Sequence, residues 1–165
     1  MFRPTRKFLL AAFCLTITAC GFHLRGQATL PFETLYVNAS NDSSFAIELR
    51  RALLAGTNAR LSDNPKDAEA IFQLVNENRE KLILSVNTGG TVAEYELRLH
   101  VSFRVYNNKG QNWIAPTEIT LKRDVSYNDT NVLAKDYEEA QLYKDMQSDA
   151  VQQVVQRMSG AKVPI

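Results

Sequence analysis

The chain is poor in the residues that most protein chemistry draws on. It has two cysteines, two histidines and one tryptophan among 165 residues. Two cysteines cannot build a disulfide framework, and two histidines leave little for a metal centre. Net charge is almost absent, with 19 Lys and Arg against 18 Asp and Glu giving +1. That balance excludes the polybasic surface by which proteins follow duplex nucleic acid. Seven Gly and five Pro are too few for a fibrous or wholly disordered chain. What remains is 45% hydrophobic and 22% charged, ordinary globular composition at a length that suits one domain.

The N-terminus carries the first positive signal. Arg3, Arg6 and Lys7 precede an apolar run from Phe8 to Ile17. About 20 residues are needed to cross a bilayer, so this run is too short to span one and has the anatomy of a secretory signal. It ends in Ile17-Thr18-Ala19-Cys20, which resembles the bacterial lipobox, with Ile17 where Leu is usual. In that reading 1–19 is a leader, and Cys20 is acylated and becomes the mature N-terminus. The alternative is an ordinary signal with a chance cysteine. Processing at Cys20 removes three cations and no acid, so the charge falls from +1 to −2. No free thiol then remains for a disulfide, a metal or a nucleophile. Gly21 occupies the place where an Asp would signal inner-membrane retention, which favours the outer membrane.

Residues 20–31 read as a lipidated tether, 32–160 as one domain and 161–165 as a tail. Glu33 to Asn38 predicts a short strand. Asn41 to Ser44 suits a helix cap, and Phe45, Ala46, Leu49, Ala52 and Leu53 follow at helical spacing, with Gly56 as the stop. Ser62 to Lys66 is a loop around Pro65. Ala70, Phe72 and Leu74 alternate with Ile71, Gln73 and Val75 in a strand extending to Val86, where Asn87-Thr88-Gly89-Gly90 turns the chain. Ala93, Tyr95, Leu97, Leu99, Val101, Phe103 and Val105 then recur at period two, the strongest pattern in the chain and the mark of a long strand with one buried face. Asn107 to Gly110 turns the chain again, and Trp113 to Tyr127 continues the alternation, with Pro116 suggesting an edge or a bulge. Asn131 to Met158 reads as a long helix whose Tyr143, Met146, Ala150, Val151, Val154 and Met158 share a stripe, ended by Gly160. The expected fold is an α+β two-layer sandwich, a four-stranded mixed sheet with both helices on one face, in the order β-α-β-β-β-α.

No catalytic pattern emerges. His23 sits in the tether, and His100 falls on the polar face of the long strand. There is no G-x-S-x-G, and neither histidine pairs recognisably with a Ser and an acid. Thr88-Gly89-Gly90-Thr91 is too short for a phosphate loop and belongs to a hairpin. Asp136, Glu138 and Glu139 read as a solvated acidic face at a helix start.

Cys20-Gly21-Phe22-His23-Leu24-Arg25-Gly26 closely resembles the opening of mature LPS-assembly lipoproteins of the LptE family. Ala93-Glu94-Tyr95, Leu133-Ala134-Lys135-Asp136 and Asp149-Ala150-Val151-Gln152-Gln153 fall where that family has similar runs. The resemblance covers essentially the whole mature chain. It implies a non-enzymatic protein without a cofactor, anchored in the outer membrane by its N-terminal lipid. Its implied place is within the lumen of the LptD β-barrel, helping that barrel assemble and binding lipopolysaccharide. The family's lysine at the start of the last helix matches Lys135. Its hairpin cation does not, because that position is Thr88, and the nearest cations are Arg79 and Lys81, with Arg123 a further candidate. Two other classes stand beside this one: an accessory lipoprotein of a different envelope transporter, and a small lipoprotein hydrolase.

Overall fold

The computed structural model describes residues 28–127 and 132–163. Cys14, Cys20, His23 and the leader lie outside them. The described chain runs β1 (Thr34–Asn38), α1 (Ser44–Gly56), β2 (Arg60–Leu61), a 3₁₀ turn (Pro65–Asp67), β3 (Ala70–Val86), β4 (Val92–Tyr106), β5 (Asn112–Ser126) and α2 (Val132–Ser159). The sheet order is β2-β1-β3-β4-β5, with β1 parallel to β2 and β3, and β3, β4 and β5 antiparallel. The α+β sandwich with both helices on one face is as expected; the sheet has five strands, not four. The fifth, β2, is two residues long, too short to show any periodicity. It is held at the edge by Arg60 N donating to Glu33 O at 2.8 Å and Ser62 N to Leu35 O at 2.9 Å.

Local chemistry sets the element ends. Ser43 caps α1, its Oγ accepting from Ala46 N at 3.1 Å, and Thr57 N and Oγ1 both donate to Leu53 O at the other end. The two hairpins use the same device. Asn87 Oδ1 accepts from the N–H groups of Gly89 and Thr91, and Asn107 Oδ1 from those of Lys109 and Gln111. Gly90 and Gly110 close these turns at φ 79°, a conformation that favours glycine. Pro116 lies on edge strand β5 beside a register shift, so both readings of it hold.

The core lies between the helices and one sheet face. Leu97, Leu99, Val101, Phe103 and Val105 of β4 are all fully buried, beneath Phe45, Leu49 and Leu53 of α1 and Met146, Ala150, Val154 and Met158 of α2. Phe72 and Phe103 stack across β3 and β4 with centroids 5.5 Å apart.

One irregularity decides where the charged residues go. The β3–β4 register slips between Leu74 and Asn76, so Val75 is a bulge. Before it, Phe72 and Leu74 oppose Val105 and Phe103; after it, Glu77, Arg79, Lys81 and Ile83 oppose Val101, Leu99, Leu97 and Tyr95. Directly opposed residues share a face. The bulge therefore turns Arg79 and Lys81 towards the helices, where unbroken alternation from Phe72 and Leu74 would have turned them away.

Candidate functional site

Each of the four predicted cations has a partner, and all four border α2. Lys81 Nζ donates to Glu139 Oε2 at 2.6 Å and sits 4.3 Å from the centroid of Tyr95. The hydrogen bond from Lys81 to Glu139 holds the ammonium above its ordinary pKa, against a smaller opposing effect of burial. Arg79 donates to Gln147 Oε1 at 3.0 Å and lies 5.3 Å over the Tyr143 ring. Tyr143 donates to Glu80 O at 2.6 Å, and burial pushes its phenol pKa up. Arg123 donates to Asp149 Oδ2 at 2.9 Å. Lys135 donates to Glu138 Oε2 at 2.7 Å, and its side chain is only 21% exposed.

These contacts divide the cations into groups. Lys135, Glu139 and Tyr143 are spaced four residues apart along α2, so they share a helix face. Lys81 and Arg79 meet that face from β3. Arg123 reaches α2 from β5 instead, at Asp149, two residues beyond Gln147, the partner of Arg79. Lys135, Lys81 and Arg79 thus form one stripe on the β3 side of α2, and Arg123 meets the same helix from its β5 side. Glu139 is a correction to the sequence reading: it is half-buried against Lys81 rather than part of a solvated face. Nor do acids complement the helix dipole, since α2 has none in its first turn. The sequence places Tyr143 and Tyr95 only as core positions and says nothing of Gln147, so their part beside the cations is not read from it. The signal that would have found them is the i, i+4 spacing of 135, 139 and 143 beside the buried stripe.

Among the described residues the opposite sheet face carries no helix, and it is polar. Its centre is His100, whose Nδ1 lies 3.0 Å from Glu118 Oε1 and 3.2 Å from Thr120 Oγ1. With a carboxylate as partner, Nδ1 carries the proton. Ser102 and Thr120 also donate to Glu118, and the bond from His100, with these two, holds its carboxyl below the ordinary value. His100 Nε2 is buried without a hydrogen bond, 3.7 Å from Glu80 Oε2. Arg98 pairs with Glu96, and Arg104 donates to Gln73 at 2.7 Å. The face is a mesh of hydrogen-bonded polar and charged side chains. Among the described residues no group of three or more His, Cys, Asp or Glu could hold a metal ion.

A family model described as LptE, lipopolysaccharide-assembly, matches residues 32–158, most of the chain. The chain belongs to the LptE family. A protein named LPS-assembly lipoprotein LptE from Yersinia enterocolitica is 30% identical over 155 residues, covering 91% of this chain and 73% of that protein. Its namesake from Photorhabdus laumondii is 27% identical over 154 residues, covering 91% and 83%. Among solved structures, lipoprotein B from Nitrosomonas europaea is 40% identical with a TM-score of 0.71, covering 82% of this chain and 88% of that one. Rare lipoprotein B from Shewanella oneidensis is 27% identical with a TM-score of 0.69, covering 78% and 95%. On this LptE-family fold, the chain carries the Lys81–Glu139 stripe on one side of its sheet and the His100 mesh on the other.

Proposed function

We propose that this protein is an outer-membrane lipoprotein that occupies and helps assemble the LptD β-barrel and binds lipopolysaccharide during insertion into the outer leaflet. The observation that carries the reading is the LptE-family match over 32–158. In this reading residues 1–19 are the leader, Cys20 is the lipid acceptor, 20–31 the tether, 32–160 the domain and 161–165 the tail. The end of the tether is held to the domain by the Ala28–Thr57 bridge and the buried Leu30. Two features support the reading. A helix-free, charge-meshed sheet face suits the polar lumen of an outer-membrane barrel. The cations of the Lys135–Lys81–Arg79 stripe have the chemistry to engage lipid phosphates. Each is held by a carboxylate or amide, so an arriving phosphate exchanges one partner for another and needs no charge ordered afresh.

Lys135 is the primary contact in this reading, with Arg79, Lys81 and Arg123 secondary. Lys135→Gln removes its charge without adding another acid beside Asp136, Glu138 and Glu139. A charge-assisted hydrogen bond is worth about 1.5–3 kcal/mol, and 1.4 kcal/mol is tenfold in affinity. Binding to purified lipopolysaccharide should therefore weaken about tenfold or more. The i, i+3 pair with Glu138 stabilises the helix by only about 0.2–0.5 kcal/mol, so the melting midpoint should hold. Unchanged binding removes Lys135 from the site; loss of binding and fold together assigns it a structural role.

A further inference from the structure

Both layers of the sandwich are incomplete at the same end. β1 pairs with β3 only from Ala70 to Gln73, so among the described residues nothing pairs with the outer edge of β3 from Asn76 to Val86. In the layer above, α1 begins beside Gln147 of α2, as Ser44 donates to Gln147 Oε1 at 2.8 Å. Among the described residues the N-terminal half of α2 thus has no helix beside it. Several exposed apolar side chains gather at this step, while others, such as Leu54 and Val163, lie elsewhere. Ile83, Leu84 and Val86 on β3 are 62%, 50% and 59% exposed, and Leu133 and Tyr137 on α2 are 85% and 75% exposed. The edge is mostly charged from Glu77 to Lys81 but mostly apolar from Leu82 to Val86. An uncovered apolar edge is a template for another strand, and most native edges are shortened, charged or covered to prevent it.

We propose that this edge accepts an extended segment of the barrel partner by β-strand addition, an inference that rests on the LptD assignment above. The segment's backbone would complete the hydrogen bonds of 76–86, and its apolar side chains would lie against Ile83 and Val86. A closed barrel wall has both edges of every strand already paired, so the occupant is a loop segment and not a wall strand. The protein's own tether cannot serve. Ala28 lines a hollow with Gln156 of α2, 17 residues and about 25 Å along the axis from Glu139, the partner of Lys81. The seven residues between Cys20 and Ala28 extend about 25 Å at most, so they would be spent on reaching the edge. A second copy is a poor occupant too, because antiparallel self-pairing over the whole of 76–86 sets Lys81 directly against Lys81.

Hydrogen exchange tests this on the full-length lipoprotein, alone and co-purified with its co-expressed LptD barrel. In the free protein, the amides of 76–86 that do not face β4 should exchange quickly. In the complex they should slow at least tenfold, which side-chain contact alone would not produce. Ile83→Lys with Val86→Lys should reduce barrel recovery at least tenfold at an unchanged melting midpoint, since both side chains are exposed. A complex that forms while these amides exchange as before overturns strand addition and leaves the barrel reading standing. Wild-type recovery with the double variant also overturns it. Failure to form any complex overturns both readings. Concentration-dependent protection of the isolated protein, with a dimer mass by light scattering, assigns the edge to a second copy and overturns the proposal.

Discussion

Lys81 and Tyr143 favour their protonated forms for different reasons, and both act on stability at the same end of the pH scale. Lys81 is held up by Glu139, and Tyr143 by burial. As pH rises past their ordinary values, about 10.5 and 10.0, the unfolded chain sheds these protons before the folded one. The folded state then binds more protons, so stability falls with rising pH. Their contribution is complete below pH 10 and is lost as pH climbs through the raised values. The melting midpoint should drop between pH 9 and pH 11.5 in the wild type, and the drop should be smaller in Lys81→Met with Tyr143→Phe. Equal drops would mean that other groups set the alkaline limit. At pH 8, Tyr143→Phe should cost about 1 kcal/mol, because Glu80 O loses the phenol donor.

At the scale of elements, the strands differ in how much of them could be read. The strict alternation of β4 is legible because both of its neighbours pair along nearly its full length, so one face is buried from Leu97 to Val105. Leu99→Asp or Phe103→Asp should unfold the domain, since a buried unpaired carboxylate costs several kcal/mol against a total of about 5–15. Ser102→Ala, on the helix-free face, should leave the melt close to wild type; circular dichroism showing the pair of sites equally sensitive would reverse the assigned facing. β3 was legible as a strand but not as a surface. A bulge has no periodicity of its own, and Val75 among polar neighbours looks like any exposed residue. The partners of Arg79 and Lys81 were hidden for the same reason, since acids on a helix read as solvated until a strand is seen beside them.

The bulge itself is open to test. Deleting Val75 removes the extra residue and keeps Glu77, Arg79 and Lys81 on the helix side, so the protein should fold with the Lys81–Glu139 pair retained. Deleting Asn78 instead shifts everything after it by one, turning Lys81 out and placing Glu80 and Leu82 beneath α2. The second deletion should lower the melting midpoint substantially more than the first. The reverse order would show that Val75 is needed for the twist of the strand and is not a spare residue within it.

For the whole molecule, Ala28 and the cationic stripe lie at opposite ends. Ala28 N donates to Gly56 O at 2.7 Å, at the C-terminal end of α1, while Lys81, Lys135 and the free edge lie towards the other end of α2. Cys20 precedes Ala28 by eight residues, and among the described residues the first buried side chains are Leu30 and Phe32. Acylation should therefore govern where the protein resides and not how well it folds. Each buried CH₂ of an acyl chain adds about 0.8 kcal/mol of membrane affinity, so several chains hold the protein where one would not. Cys20→Ala removes the only thiol at the cleavage site. The variant should remain an unprocessed precursor and take up no labelled fatty acid. Its domain should melt at the wild-type temperature and bind purified lipopolysaccharide as before, because the stripe proposed to bind it is built entirely within β3 and α2. Label retained after the substitution would end the lipobox assignment. A lowered melt would mean that the segment before Ala28 contributes to the core.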